Sequence, residues 1–317
     1  MIPAGVEAEK NTKNAIIRIS MKGHSDNTKA ILAVFLAAIL GGGMPVFVKI
    51  GVAVIPPLTY SFLRFLFAAV LILPIILIKK PKFNKSLLPV FLISLLPAIN
   101  IILFSFGIRL TSATMAQTLA AGMPFMVLVL SHFLLKERIT LYKLMGVAIG
   151  FIGLFIIIVS PVINSNTSMN GAFVGNLLVF AGVVLFALYS VLSKKLQNEH
   201  SPLTISVIFI FVTMAITALA FPLEISKVNV WVPQLSFQIL FGLLYVASVG
   251  GIIYYFLQQN AIKYGSPLIA SLLLYLQPVC TYFWALFLLG EHLTPGFIIG
   301  AMLTFIGAII VTFKKQN

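Results

Sequence analysis

Few side chains in this sequence could do chemistry, and the most conspicuous is a cation. Arg64 stands seven residues into an apolar run over 57–78, about 10 Å from its start if the run is helical. A charge at a helix centre in hydrocarbon costs roughly 2.5–3.5 kcal/mol, so residues of this kind are commonly paired or used. No aspartate or glutamate lies within an apolar run to pair with it. Two readings stand. Arg64 clamps a ligand carboxylate or phosphate, or it snorkels to the polar boundary and caps helix carbonyls.

The amides are the next candidates. Asn100, Gln117, Gln258 and Gln277 fall in apolar runs, where each needs a hydrogen-bonding partner. They line a wet cavity or tie helices together. Gln259 and Asn260 fit the polar boundary equally well. Tyr189, Tyr254 and Tyr275 are the preferred aromatic contacts, Tyr275 because it precedes Pro278 by three residues, where the backbone is loosened. Tyr60, Tyr255, Tyr282 and Trp284 fit packing or boundary roles.

Glu137 and Glu291 look catalytic in isolation, yet each stands just ahead of a threonine suited to cap a helix, Thr140 and Thr294. The helix dipole favours a carboxylate there, so both read as structural helix-end devices. His132 is a helix-end histidine with no evident partner. Cys280 is the only cysteine, so no disulfide forms within the chain and the redox compartment is not readable. No nucleotide-binding loop and no clustered His, Asp or Cys stand in the runs. The expectation is no catalytic residue, no metal and no cofactor.

These residues sit in a strongly apolar chain. Of 317 residues 60% are hydrophobic and 9% charged, against about 25% charged in soluble domains. Too little polar surface remains to cover a water-soluble globule. The net charge of +14 points to basic residues sorted by membrane side rather than to nucleic acid. Ten runs are long enough to span hydrocarbon as helices: 30–50, 57–78, 87–108, 112–135, 140–160, 172–195, 203–222, 235–259, 266–289 and 295–313. Residues 1–28 form a polar tail expected to be disordered, with Met21 an alternative start and no cleavable signal peptide.

The runs are duplicated. The stretch 265–313 repeats 111–159 at a spacing of 154 residues: Pro278 answers Pro124, Glu291 answers Glu137, and Gly300 answers Gly146. Pro202-Leu203-Thr204 answers Pro57-Leu58-Thr59 at 145, and Lys194 answers Lys49 at the same spacing. The extra residues fall in a loop expected between Pro222 and Gln234. The units are 29–160 and 171–313, five runs each. With the N-terminus inside, seventeen Lys and Arg lie on the cytoplasmic side and three, Lys49, Arg109 and Lys227, outside. Both termini are therefore expected in the cytoplasm. An odd number of runs inserts the second unit upside down, and inverted repeats place a substrate site near the midplane at their interface. Gly146/Gly150 and Gly296/Gly300 read as close packing within the bundle.

The paired segments Pro124-x12-Glu137-Arg138-Ile139-Thr140-x5-Gly146 and Pro278-x12-Glu291-His292-Leu293-Thr294-x5-Gly300, with Phe62-Leu63-Arg64-Phe65-x2-Ala68, resemble EamA-type members of the drug/metabolite transporter superfamily. The resemblance covers nearly the whole chain beyond the tail. It implies an all-α polytopic membrane protein of ten transmembrane helices in two inverted repeats. It also implies a secondary transporter in the cytoplasmic membrane, with export favoured, for a small organic metabolite such as an amino acid. The partners implied are that metabolite and the lipid bilayer, as a monomer or homodimer, without nucleic acid. One departure is the missing tryptophan of the first run. Gly41-Gly42-Gly43-Met44-Pro45 stands there, so that wall is expected to be wider or more mobile. A membrane-embedded transferase lacks the clustered side chains it needs, and a receptor or scaffold lacks loop surface.

Overall fold

The computed structural model describes residues 28–81, 86–110, 116, 119–120, 122–165, 173–277, 279–281 and 295–313. All regular elements among them are helical. In chain order they are α1 (Thr28–Val54), α2 (Pro57–Lys79), α3 (Leu88–Leu110), α4 (Met123–Leu135), α5 (Leu141–Ser165), α6 (Phe173–Leu196), α7 (Pro202–Ala220), α8 (Phe237–Tyr264), α9 (Pro267–Ser271, helical again over 273–277 and 279–281) and α10 (Pro295–Phe313). Six described helices are long and apolar enough to cross a bilayer, and α4, α5, α9 and α10 contribute shorter apolar stretches. Leu77, Ile78, Phe133, Leu219 and Phe237 point outward and exposed, as lipid-facing side chains do. The protein is an all-α, multi-pass membrane protein.

The expected loop from Pro222 to Gln234 is instead a chain of short helical turns, Phe221–Lys227, Val228–Trp231 and Val232–Gln234. Glu224 and Trp231 are buried, which pins the segment to the bundle. Its two prolines occupy first-turn positions, where a missing N–H costs nothing. Apolar helix also runs past the expected ends, to Val54, Ser165 and Tyr264.

α1 is interrupted by a turn at Gly42-Gly43, and the expected widening of that wall is not found. The Gly41 carbonyl accepts from Gln277 Nε2 at 3.0 Å, and the Gly42 carbonyl from Thr281 Oγ1 at 2.7 Å. A Cβ on Gly42 would lie 2.8 Å from Cys280 Cβ. The glycines let two backbones close on each other, and side chains of the neighbouring helix satisfy the loosened carbonyls.

The duplication is visible as paired contacts. Lys49 Nζ donates to the Ile108 carbonyl at 2.6 Å, and Lys194 Nζ to the Ile262 carbonyl at 2.7 Å. Ile262 answers Ile108 at the spacing of 154, so each lysine caps the C-terminal end of the third helix of its own unit. A cation is favoured at that pole. Lys49 lies at the end of the bundle where Thr59 of α2 meets Glu224; Lys194 lies at the opposite end, beside Lys263 and Gly265. α1 and α6 thus run in opposite directions, as inverted repeats require. α5 and α10 answer each other and pack along a glycine seam. A Cβ on Gly153 would lie 2.6 Å from the Gly300 carbonyl, and one on Gly307 2.6 Å from the Gly146 carbonyl. These small residues serve contacts within the chain, as expected.

Candidate functional site

A cavity of about 130 Å³ opens between the two units. One water needs about 10–15 Å³ on this measure, so there is room for several waters or one small organic molecule. Its position follows from the duplication. Asn100 and Tyr254, Ile101 and Tyr255, Ala120 and Leu274, and Met123 and Gln277 all line it, and each pair is separated by 154 residues. A cavity lined by equivalent positions of both copies lies on the axis that relates them. The polar groups, however, are not duplicated: Asn100 faces a tyrosine, and Gln277 answers a methionine.

Arg64 reaches this cavity from α2 and is 8% exposed. Its Nε has no hydrogen-bond partner among the described residues. Tyr255 shares a side-chain hydrogen bond with the guanidinium, and the ring of Phe65 lies 5.1 Å from Cζ. The Arg64 charge also acts on the Tyr60 and Tyr254 hydroxyls. No carboxylate reaches it among the described residues. The snorkelling alternative does not describe this geometry, because the head group is held in the bundle.

The helices that carry these groups are shaped to deliver them. Over Val246–Ile253, α8 widens into a π-helical stretch, a feature common beside functional sites. A Cβ on Gly250 would meet Met44 and lie 3.5 Å from an Arg64 nitrogen. Gly182 of α6 leaves the space that Asn100 occupies, since a Cβ there would come within 2.8 Å of Nδ2. Gly41 does the same for the Tyr254 ring, at 2.8 Å. Gln277 lines the cavity while its Nε2 is engaged by Gly41, so it is both wall and tie.

The start of α2 is held from the other unit. Thr59 N and Oγ1 donate to Glu224 Oε2 at 2.9 and 3.0 Å, and Glu224 is 5% exposed. The equivalent helix α7 is capped locally: Ser201 Oγ accepts from Thr204 N at 3.1 Å. The position answering Ser201 is Pro56, which has no side-chain oxygen, and a carboxylate from the inserted segment takes over. The Phe62 and Phe221 rings stack at 4.6 Å beside it, and Phe47 meets Tyr245 at 5.1 Å. These contacts tie α1 and α2 to the second unit.

Other sequence candidates lie elsewhere. The Tyr189 hydroxyl accepts from Gln259 Nε2 at 2.9 Å, and Gln197 Nε2 donates to Gln259 Oε1 at 2.6 Å. The three form a buried knot between α6 and α8, not a cavity wall or a boundary group. The Tyr275 hydroxyl donates to the Val147 carbonyl at 2.8 Å, and its ring packs on Gly150. Gln258 is 1% exposed, is not among the lining residues, and has no partner for either amide atom among the described residues. Glu137 faces Lys143 at 3.6 Å, ahead of the Thr140 cap. His132 does have a partner, Nδ1 lying 2.9 Å from the Glu137 carbonyl oxygen. Gln117, Glu291, Pro278, Tyr282 and Trp284 lie outside the described residues.

Sequence reasoning assigned Tyr255 to packing or the boundary and passed over Met123 and Ser105, all three on the wall. The signal for the first two was present, because the spacing that pairs Asn100 with Tyr254 also pairs Ile101 with Tyr255 and Met123 with Gln277. Glu224 was foreshadowed only by the proline at the capping position of α2.

The profile of the EamA-like transporter family matches residues 28–159 and 173–313. Similar proteins include YoaV of Bacillus subtilis, named an uncharacterized transporter, 28% identical over 90% of this chain and 97% of its own. An uncharacterized transporter of Archaeoglobus fulgidus is 27% identical over 84% and 93% of the two chains. A WAT1-related protein of Arabidopsis thaliana is 22% identical over 90% of each. A protein solved by crystallography superposes with a TM-score of 0.74 at 18% identity, covering 89% of this chain and 96% of its own, a likeness of fold. With matches across both copies, the chain belongs to the EamA-like transporter family.

Proposed function

We propose that this protein is a secondary transporter that moves a small organic metabolite across the cytoplasmic membrane by alternating access, in the direction of export. Arg64, Asn100, Tyr254 and Gln277 form the substrate site. Gln117 belongs to its amide set, while Gln258, Tyr189 and Tyr275, which do not line the cavity, support the helices around it. The observation that carries this reading is the cavity's place on the axis between two inverted units, with one buried cation facing into it. Rocking of one unit against the other about such an axis exposes a fixed site to each side in turn. Both termini lie in the cytoplasm in this reading, residues 1–28 are a tail, and 29–160 and 171–313 are the moving units. The contacts of Glu224 and Phe221 then close the outer side.

A transferase or scaffold is the poorer reading, since the Ser105 hydroxyl on the wall is paired with Ser61 and, among the described residues, no histidine, cysteine or carboxylate lines the cavity to activate a nucleophile. The test has two steps. A metabolite-release screen in cells overproducing the chain identifies the cargo. Uptake of that cargo into sealed vesicles is then compared for wild type and Arg64→Gln at equal protein level. Saturable transport lost in the variant is expected. Absence of transport by the wild-type protein would overturn the reading.

A further inference from the structure

Resting on that reading of the site, we infer that the cavity selects a small organic monoanion, a carboxylate on an apolar or aromatic body with no ammonium group, in preference to a zwitterionic amino acid. The chain has seven aspartates and glutamates. Glu7, Glu9 and Asp26 precede the first run. Glu137 faces Lys143, and Glu224 caps Thr59. Glu199 stands in the turn after α6. Glu291 precedes the Thr294-Pro295 start of α10 by three residues in sequence. None falls in an apolar run, and among the described residues no carboxylate lines the cavity to receive a substrate ammonium.

The acceptors that the wall does hold are neutral, the amide oxygens of Asn100 and Gln277 and the hydroxyls of Ser105, Tyr254 and Tyr255, and none balances an ammonium charge. The carbonyls freed at the α1 break accept from Gln277 and Thr281. Ser105 Oγ is paired with Ser61 Oγ at 3.0 Å. Aromatic faces attract cations, and Tyr254, Tyr255, Phe104 and Phe186 offer them. But Arg64 already stands among these rings, and a second positive charge in the same small cavity is repelled at low dielectric.

What remains favours a single negative charge. Arg64 is buried on the cavity wall, and no carboxylate among the described residues lies there to balance its charge. One guanidinium balances one carboxylate through paired hydrogen bonds. A phosphate dianion would leave a charge uncompensated. The rest of the wall is aromatic, aliphatic or methionine. The cavity's volume suits a body on the order of ten non-hydrogen atoms.

The test uses three probes that share a phenylethyl body: 3-phenylpropanoate, L-phenylalanine and 2-phenylethylamine. Their affinities are measured by titration against the purified full chain in lipid nanodiscs. The expected order is 3-phenylpropanoate first, L-phenylalanine at least tenfold weaker, and no binding of 2-phenylethylamine. Arg64→Gln should abolish the preference for the anion, and Arg64→Lys should keep the order with a smaller gap. Should Arg64→Gln fail to fold, the wild-type order alone decides. L-phenylalanine binding as tightly as 3-phenylpropanoate, the amine binding best, or none of the three binding would each overturn the inference. Failure of the transport reading looks different: the probes bind in the expected order, yet no cargo crosses vesicles.

Discussion

At the scale of single residues, the proposed substrate site rests on Arg64. A hydrogen bond to a charged group contributes about 1.5–3 kcal/mol, so Arg64→Gln should weaken substrate binding by roughly ten- to a hundredfold at 1.4 kcal/mol per decade. Arg64→Lys retains the charge but not the planar fork and should recover only part of that loss. Vesicle kinetics on both variants check this, and wild-type kinetics in Arg64→Gln would remove Arg64 from the site. Arg64 was legible in the sequence because a lone charge in hydrocarbon demands an explanation. So were Asn100, Tyr254 and Gln277. Tyr189 was misleading, since nothing local distinguishes a tyrosine that faces a cavity from one that receives a glutamine amide across a helix interface.

At the scale of elements, α2 depends on a residue 165 positions away. Losing an N-cap costs about 0.5–2 kcal/mol, and here the cap also joins the two units. Glu224→Ala should therefore lower the melting temperature of the purified protein more than Ser201→Ala, which removes a cap within one unit. Equal or smaller destabilisation by Glu224→Ala would show that the inter-unit bond is incidental. Sequence reading placed the helices because apolar runs of membrane length announce themselves. It missed the cap because a carboxylate in an insertion carries no mark of its distant partner. The Gly41–Gly43 break had the same difficulty. Glycines signal freedom, and only the packed structure shows that freedom used for close approach to Cys280.

At the scale of the whole molecule, the duplication was the most legible feature, and its equivalent positions line the cavity. The spacing that aligns Glu137 with Glu291 also aligns the four residue pairs around the cavity. What differs between the copies could not be ranked from sequence, because asymmetry acquires meaning only when both members of a pair face the same space. The inverted arrangement predicts the sidedness of the chain: a reporter fused after Thr167 should read outside, and one after Asn198 inside. The reverse pattern would overturn the assignment of both termini to the cytoplasm.

Alternating exposure of the axial cavity is tested most directly by cysteine accessibility. Replacing Cys280 with alanine removes the only native thiol, and Ala120→Cys then puts one thiol on the cavity wall at an axial pair. A membrane-impermeant alkylating reagent is applied separately to right-side-out and inside-out vesicles. Alkylation from both faces is the expected result, since each orientation of the two units opens the cavity to one side. Alkylation from one face alone, or from neither, in a variant that still transports would contradict it.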